Sequence, residues 1–260
     1  AHVRLRARLT PGLLALDEAA LRFAGTDLSL SGRVRAPLSD RPGVSLKGAF
    51  TRLSVADLVR YWPAGLAAGG RDWIAENISA GHVTDAALSV AIPRSAWDAA
   101  ALPADALGLD FGYEGLVTTY IDGLPPAEGI SGRGRLTTRD LDLALDTAVI
   151  EGRDFAGSHV YLYDFDAPIE RARVSLTTDA DLDAVLALVD RQPLGYPSEM
   201  GIDPAQVSGR AQTRAELAFP LLSDLLIDDV QVVVDADLSD VHLPLMAADG
   251  ALDDGDLSLR

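Results

Sequence analysis

The sequence predicts a mainly β protein: an elongated antiparallel sheet grown from repeated strand units, with short helical inserts near residues 54–78 and 179–190. Three observations predict it. Apolar and polar residues alternate along most of the chain, the period of a strand with one dry face. Turn chemistry punctuates the runs at "SDRPG", "IDGLPPAEG", "IEGRD" and "DDGD". A block that begins at Val44 returns at Val174, an offset of 130 residues, with its features in the same order.

The strands follow one another along the chain. "HVRLRARL" places Val3, Leu5, Ala7 and Leu9 opposite Arg4, Arg6 and Arg8. "TDLSLSGRVRA" sets Leu28, Leu30, Gly32 and Val34 against Asp27, Ser29, Ser31, Arg33 and Arg35, and "GVSLKGAF" continues with Val44, Leu46, Gly48 and Phe50. The same period carries Leu88-Val90-Ile92, Leu107-Leu109-Phe111-Tyr113 and Leu141-Leu143-Leu145. It returns in Val174-Leu176, Ala215-Leu217-Phe219, Val230-Val232-Val234 and Leu257-Leu259. Half-buried antiparallel strands read this way.

Two segments change period. In "SVADLVRYW", Ser54 is placed to cap a helix with Val55, Leu58 and Val59 on one face, and a second helical turn surrounds Trp73 and Ile74. In "TDADLDAVLALVDRQ", Thr178 or Asp179 is placed to cap, and Leu182, Val185, Leu186 and Val189 share a face. Each insert follows a Val-Ser-Leu strand and leads through a Pro-Gly linker to a glycine-led strand ending in Ile92-Pro93 or Phe219-Pro220. The chain therefore divides into repeat units 1–130 and 131–260 of one continuous sheet. Glycines inside strand patterns, such as Gly48, Gly132 and Gly134, suit bends and curvature.

Composition narrows the function. A hydrophobic share of 48% is that of a folding chain. Net charge −17 argues against nucleic acid, whose phosphates need clustered Lys and Arg. The absence of cysteine removes disulfides, thiol catalysis and Cys-zinc sites. His2, His82, His159 and His242 stand isolated, with no metal-ligand spacing, and no nucleophile-elbow or phosphate-loop motif is present. No enzyme, cofactor or metal is expected. "DDGD" at Asp253–Asp256 reads as a solvated turn rather than a Ca²⁺ loop, and Tyr161, Tyr163 and Phe165 as an aromatic strand face. The chain starts in strand pattern without an initiator Met and is expected to be a segment of a longer protein.

The stretch "YWPAGLAAGGRDWIAENISAGHV" (Tyr61–Val83) resembles the DUF3971 region of AsmA-like proteins of Gram-negative bacteria, in the YhdP branch. "FGYEGLVTTYIDGLPPAEGISGRGRL" and "QPLGYPSEMGIDPAQVSGRAQTRAELAFPL" are similar to later elements of that family, and the three blocks span residues 61 to 221. The resemblance implies an open, curved β-groove, dry inside and polar outside. It also implies a periplasmic segment of an inner-membrane-anchored envelope protein that shields phospholipid acyl chains in transit to the outer membrane. Phospholipid, the membrane through other parts of the parent, and envelope proteins are the implied partners.

The groove lining expected on this basis is Leu28, Leu30, Val34, Leu46, Phe50, Leu88, Val90, Ile92, Leu109, Phe111, Leu141, Leu143, Leu145, Val174, Leu176, Leu217, Phe219, Val230, Val232 and Val234. Trp62, Trp73 and Ile74 are expected either to plug the dry face or to gate the groove mouth. Alternation alone is equally met by a closed β-sandwich that binds only protein partners.

Overall fold

The computed structural model describes residues 2–23, 25–62, 68–99, 102–222, 225, 229–245 and 250–259. Fourteen strands form one antiparallel sheet. They are β1 (His2–Thr10), β2 (Leu13–Phe23), β3 (Thr26–Arg35), β4 (Gly43–Ser54), β5 (Ile78–Ile92), β6 (Leu107–Thr118) and β7 (Ala127–Thr137). Then come β8 (Leu141–Ile150), β9 (Arg153–Asp154), β10 (His159–Tyr163), β11 (Arg171–Asp181), β12 (Ser208–Pro220), β13 (Gln231–Leu245) and β14 (Gly250–Leu259). Strand order follows chain order throughout, except that the short β9 pairs β8 beside the main path. β1 and β14 do not pair with each other, so the sheet is open. Thirteen strands at about 4.8 Å spacing extend it over roughly 60 Å. The boundary between residues 130 and 131 falls inside β7, where the pairing to both β6 and β8 shifts register.

Because neighbouring strands are antiparallel, connections alternate between two rims. The β4–β5 connection holds α1 (Val55–Arg60) and α2 (Ala68–Asn77), and the β11–β12 connection holds α3 (Leu182–Val189), α4 (Tyr196–Glu199) and a 3-10 turn at Pro204–Gln206. Counted along the sheet, both fall on the same rim, as does the β8–β10 connection with Phe155. The opposite rim carries turns and a 3-10 segment at Arg94–Asp98, held when the Trp97 indole donates to the Pro42 carbonyl at 2.7 Å.

Several elements depart from the sequence reading. β2 is a full strand over "LLALDEAALRF", a stretch outside the alternating runs; a register shift between Leu16 and Ala19 breaks its alternation. Ser54 does cap α1, accepting from the Asp57 amide at 3.1 Å. Neither Thr178 nor Asp179 caps α3. β11 runs on to Asp181, which takes the cap position without a side-chain hydrogen bond. Thr178 instead donates to the Asp154 carbonyl at 2.8 Å, and Asp179 pairs with Arg210 at 2.6 Å. The helix starts only at Leu182, so Thr178 and Asp179 lie too far upstream to reach its first free amides. Phe165 lies in the turn beyond β10, because the strand ends at Tyr163. Asp253–Asp256 lies within β14, paired to β13, and is not a turn.

Candidate functional site: the apolar face

Pairing register shows which side chains share a face, since residues directly opposite one another in a sheet point the same way. One row runs Leu5, Ala19, Leu30, Gly48, Leu88, Leu109, Leu136, Leu141, Leu162, Ala172, Phe219, one residue from each of eleven strands. Every position is apolar or glycine. Beside it lie Leu21-Leu28-Phe50-Ala86 in the first half and Phe111-Gly134-Leu143-Val160-Val174-Leu217-Val232 in the second. Gly32-Leu46-Val90-Leu107 and Val34-Val44-Ile92 complete the first half towards the plain rim. Tyr113-Gly132-Leu145 and Leu176-Ala215-Val234 lie towards the insert rim in the second. All the expected lining residues thus fall on one face except Val230, which precedes β13 and is half-buried.

Sequence reading missed Val160 and Leu162, because "HVYLY" draws the eye to its aromatics. Its alternation was the available signal: the two aliphatics face the dry side between Leu143 and Val174, and between Leu141 and Ala172.

Two glycines in these rows, Gly134 and Gly132, make room for rings of β6. The Phe111 ring lies where a Gly134 Cβ would stand, with Cε2 at 2.7 Å, and the Tyr113 hydroxyl is 2.7 Å from where a Gly132 Cβ would stand. Tyr113 reaches across Gly132 to donate to the Ala144 carbonyl at 2.8 Å. The phenol is 5% exposed, and burial, with Asp146 and Asp142 adding to it, pushes its pKa up. Aromatic cover of a strand glycine removes a void and pins register.

Most of the lining is half-buried, and the face stays accessible in β13, where Val232 and Val234 are 47% and 41% exposed. Two clusters cover it locally along the insert rim. Tyr113, Ala127, Ile130, Ala148, Ile150 and Phe155 form one, against which Leu145, Leu176 and Leu188 of α3 pack. Leu182, Val207, Ala211 and Val241 form the other, joined by Leu186, Ile202 and Leu238. α3 therefore lies over the dry face, with residues in both.

The first insert differs. α1 buries Val55, whereas Trp73 on α2 is 52% exposed, and Trp62 and Ile74 are half-buried. Of the three, Trp73 is the most open to solvent.

The opposite face is polar. Asp110, Arg135, Asp142, Tyr161 and Arg173 stand in one row. His159 meets Asp142 at 2.9 Å, and the Tyr161 hydroxyl donates to Asp140 at 3.0 Å, which pushes the phenol pKa up. Tyr161 and Tyr163 stack at 5.3 Å, so they cover this outer face and not the core. Among the described residues no group of three or more His, Asp or Glu could hold a metal ion, and no helix is long and apolar enough to cross a membrane.

An open antiparallel sheet, dry on one face and charged on the other, defines a class: an extended β-groove protein. A family model described as "YhdP protein" matches residues 1–253, and the chain belongs to the YhdP family. No curated protein and no solved structure matches it.

Proposed function

We propose that this chain is a segment of a periplasmic lipid-conducting groove, shielding phospholipid acyl chains on their way between the inner and outer membranes. The observation that carries the reading is the apolar row from Leu5 to Phe219, unbroken by any polar side chain across eleven strands. Membership of the YhdP family supports it.

The energetics are compatible. Burial is worth about 0.8 kcal/mol per methylene, so a lipid with roughly thirty methylenes gains on the order of 25 kcal/mol relative to water. A bilayer offers a similar gain, so passage from one to the other needs no steep step. Aliphatic lining without fixed hydrogen bonds lets the chain slide. The head group stays in water at the open side.

The test places photo-crosslinking side chains at Leu30, Leu88 and Leu143 in the full-length parent protein. Attached phospholipid is the expected result. Crosslinks to protein alone would mean a surface for protein partners, and the groove reading fails.

A further inference from the structure

Charge is not spread evenly along the chain. Residues 1–47 hold eight Lys or Arg against four Asp or Glu, whereas residues 48–260 hold fourteen against thirty-five. A net +4 therefore precedes a net −21. Asymmetry of this size points to an anionic partner for the basic part.

The fold gathers these cations on the polar face of β1–β4. Arg8, Ala15, Arg33 and Ser45 stand in one cross-strand row, and Arg35 lies in the next row towards the plain rim, opposite Gly43. Lys47, opposite Ser31, lies one row the other way. Arg94 reaches the same face from beyond β5: its Cγ is 3.2 Å from where a Gly43 Cβ would stand, and the Arg35 Cβ is 3.6 Å from that point. Asp17 is taken by Arg8, Glu18 by Arg4 and Asp27 by Arg22. Asp40 is exposed in the β3–β4 turn. Arg6, Arg33, Arg35, Lys47 and Arg94 are exposed and make no ion pair among the described residues.

The same corner carries an apolar tip. The β3–β4 turn is pinned to the 3-10 segment at Arg94–Asp98 by three hydrogen bonds. Besides the bond from Trp97 to Pro42, Arg94 Nε donates to the Arg41 carbonyl at 3.1 Å and the Arg41 guanidinium to Asp98 at 2.6 Å. On the knob so formed, Leu38 is fully exposed and Trp97 is 46% exposed.

We propose that this corner, where the polar face of β1–β4 meets the plain rim, docks on an anionic bilayer surface. The free arginines meet lipid phosphates, and Leu38 and Trp97 sink into the headgroup layer. Each cation near such a surface strengthens partitioning roughly fivefold, and the attraction fades within a Debye length. The rest of the chain, at net −21, is repelled by the same surface, which confines contact to this corner and orients the molecule. An acidic protein would match the arginines, but the protruding Leu38 and Trp97 favour a layer that apolar tips can enter. The surface lies on the face opposite the dry rows and does not depend on them.

The experiment sediments the full chain with vesicles of phosphatidylcholine, alone or mixed with an equal part of phosphatidylglycerol. Co-sedimentation with the mixed vesicles alone, lost in high salt, is expected. Arg6→Gln, Arg33→Gln and Arg35→Gln together should weaken it by about tenfold or more. Leu38→Ser should weaken it by about fivefold. Arg133→Gln, Arg173→Gln and Arg214→Gln together make the same charge change on the polar face of the second half and should leave it unchanged. All these side chains are exposed, and circular dichroism checks that each variant keeps its fold. No co-sedimentation, equal co-sedimentation with both vesicles, or equal loss in the two triple variants overturns the proposal. An unchanged Leu38→Ser overturns insertion of the knob. If the chain ignores vesicles but binds soluble polyglutamate, the patch serves an acidic protein and the bilayer proposal fails. None of the substitutions touches the dry face, so every outcome leaves the groove reading standing.

Discussion

The two helical inserts interrupt comparable hairpins on the same rim, yet they are anchored differently. The first is tied down by its beginning: Ser54 caps α1, Val55 is buried, and α2 then carries Trp73 into solvent. The second is tied down by its body: Leu182, Pro197 and Val207 are buried, and α3 extends over the dry face. The aromatic insert looks like the more consequential of the two in sequence. In three dimensions the aliphatic one is, because burial depends on where an element lands and not on how large its side chains are.

Substitutions sharpen this contrast, and the largest effect falls on a glycine packed under an aromatic ring. Gly132→Ala drives a Cβ into the Ala144 carbonyl and the Tyr113 phenol, and a loss of about 3 kcal/mol is expected in urea unfolding. Gly48→Ala meets Leu30 Cδ1 at an ordinary 3.4 Å and should change stability little. Equal losses would end the distinction between the two glycines.

Next come the inserts. Leu182→Ala should cost about 2–4 kcal/mol, against about 1 kcal/mol for the exposed Trp73→Ala. If Trp73→Ala proves the costlier in denaturant titration, the comparison is reversed. The caps should differ more modestly. Ser54→Ala is expected to cost about 1 kcal/mol, and Asp181→Ala close to nothing, since its side chain makes no capping bond.

Tyr113 adds a pH signature. Its folded pKa is raised above the unfolded value, so its contribution is complete below about pH 10 and is lost as pH rises through the folded pKa. Tyr113→Phe should flatten that alkaline loss and cost about 1 kcal/mol at neutral pH through the missing bond to Ala144. The smallest effect belongs to Asp17 on β2. Arg8 bonds its carboxylate and lowers its pKa, so Asp17→Asn should slightly flatten the acid limb of a stability profile, where that contribution fades as pH falls through the folded value.

Alternation made most strands and nearly all of the dry face legible, because period 2 reports the face directly. β2 was hidden by its bulge, and the α3 cap by strand pairing that reached Asp181. The row through Val160 and Leu162 was written in the sequence but masked by neighbouring tyrosines. The cover over part of the dry face was not legible: Leu188 of α3 packs against a cluster that includes Phe155, 33 positions away, and no local pattern encodes that.

Strictly consecutive pairing has a kinetic consequence. Apart from β9, each strand hydrogen-bonds only to its predecessor and successor along the chain, so every new ladder closes a short loop. A polypeptide arriving end first can add each strand to a template already in place, without waiting for distant sequence. The two inserts are the longest delays in that progression, with Val44 meeting Ile92 and Val174 meeting Leu217. Folding should therefore advance in bursts of hairpins separated by two pauses, at which a growing sheet exposes its unpaired edge for longest.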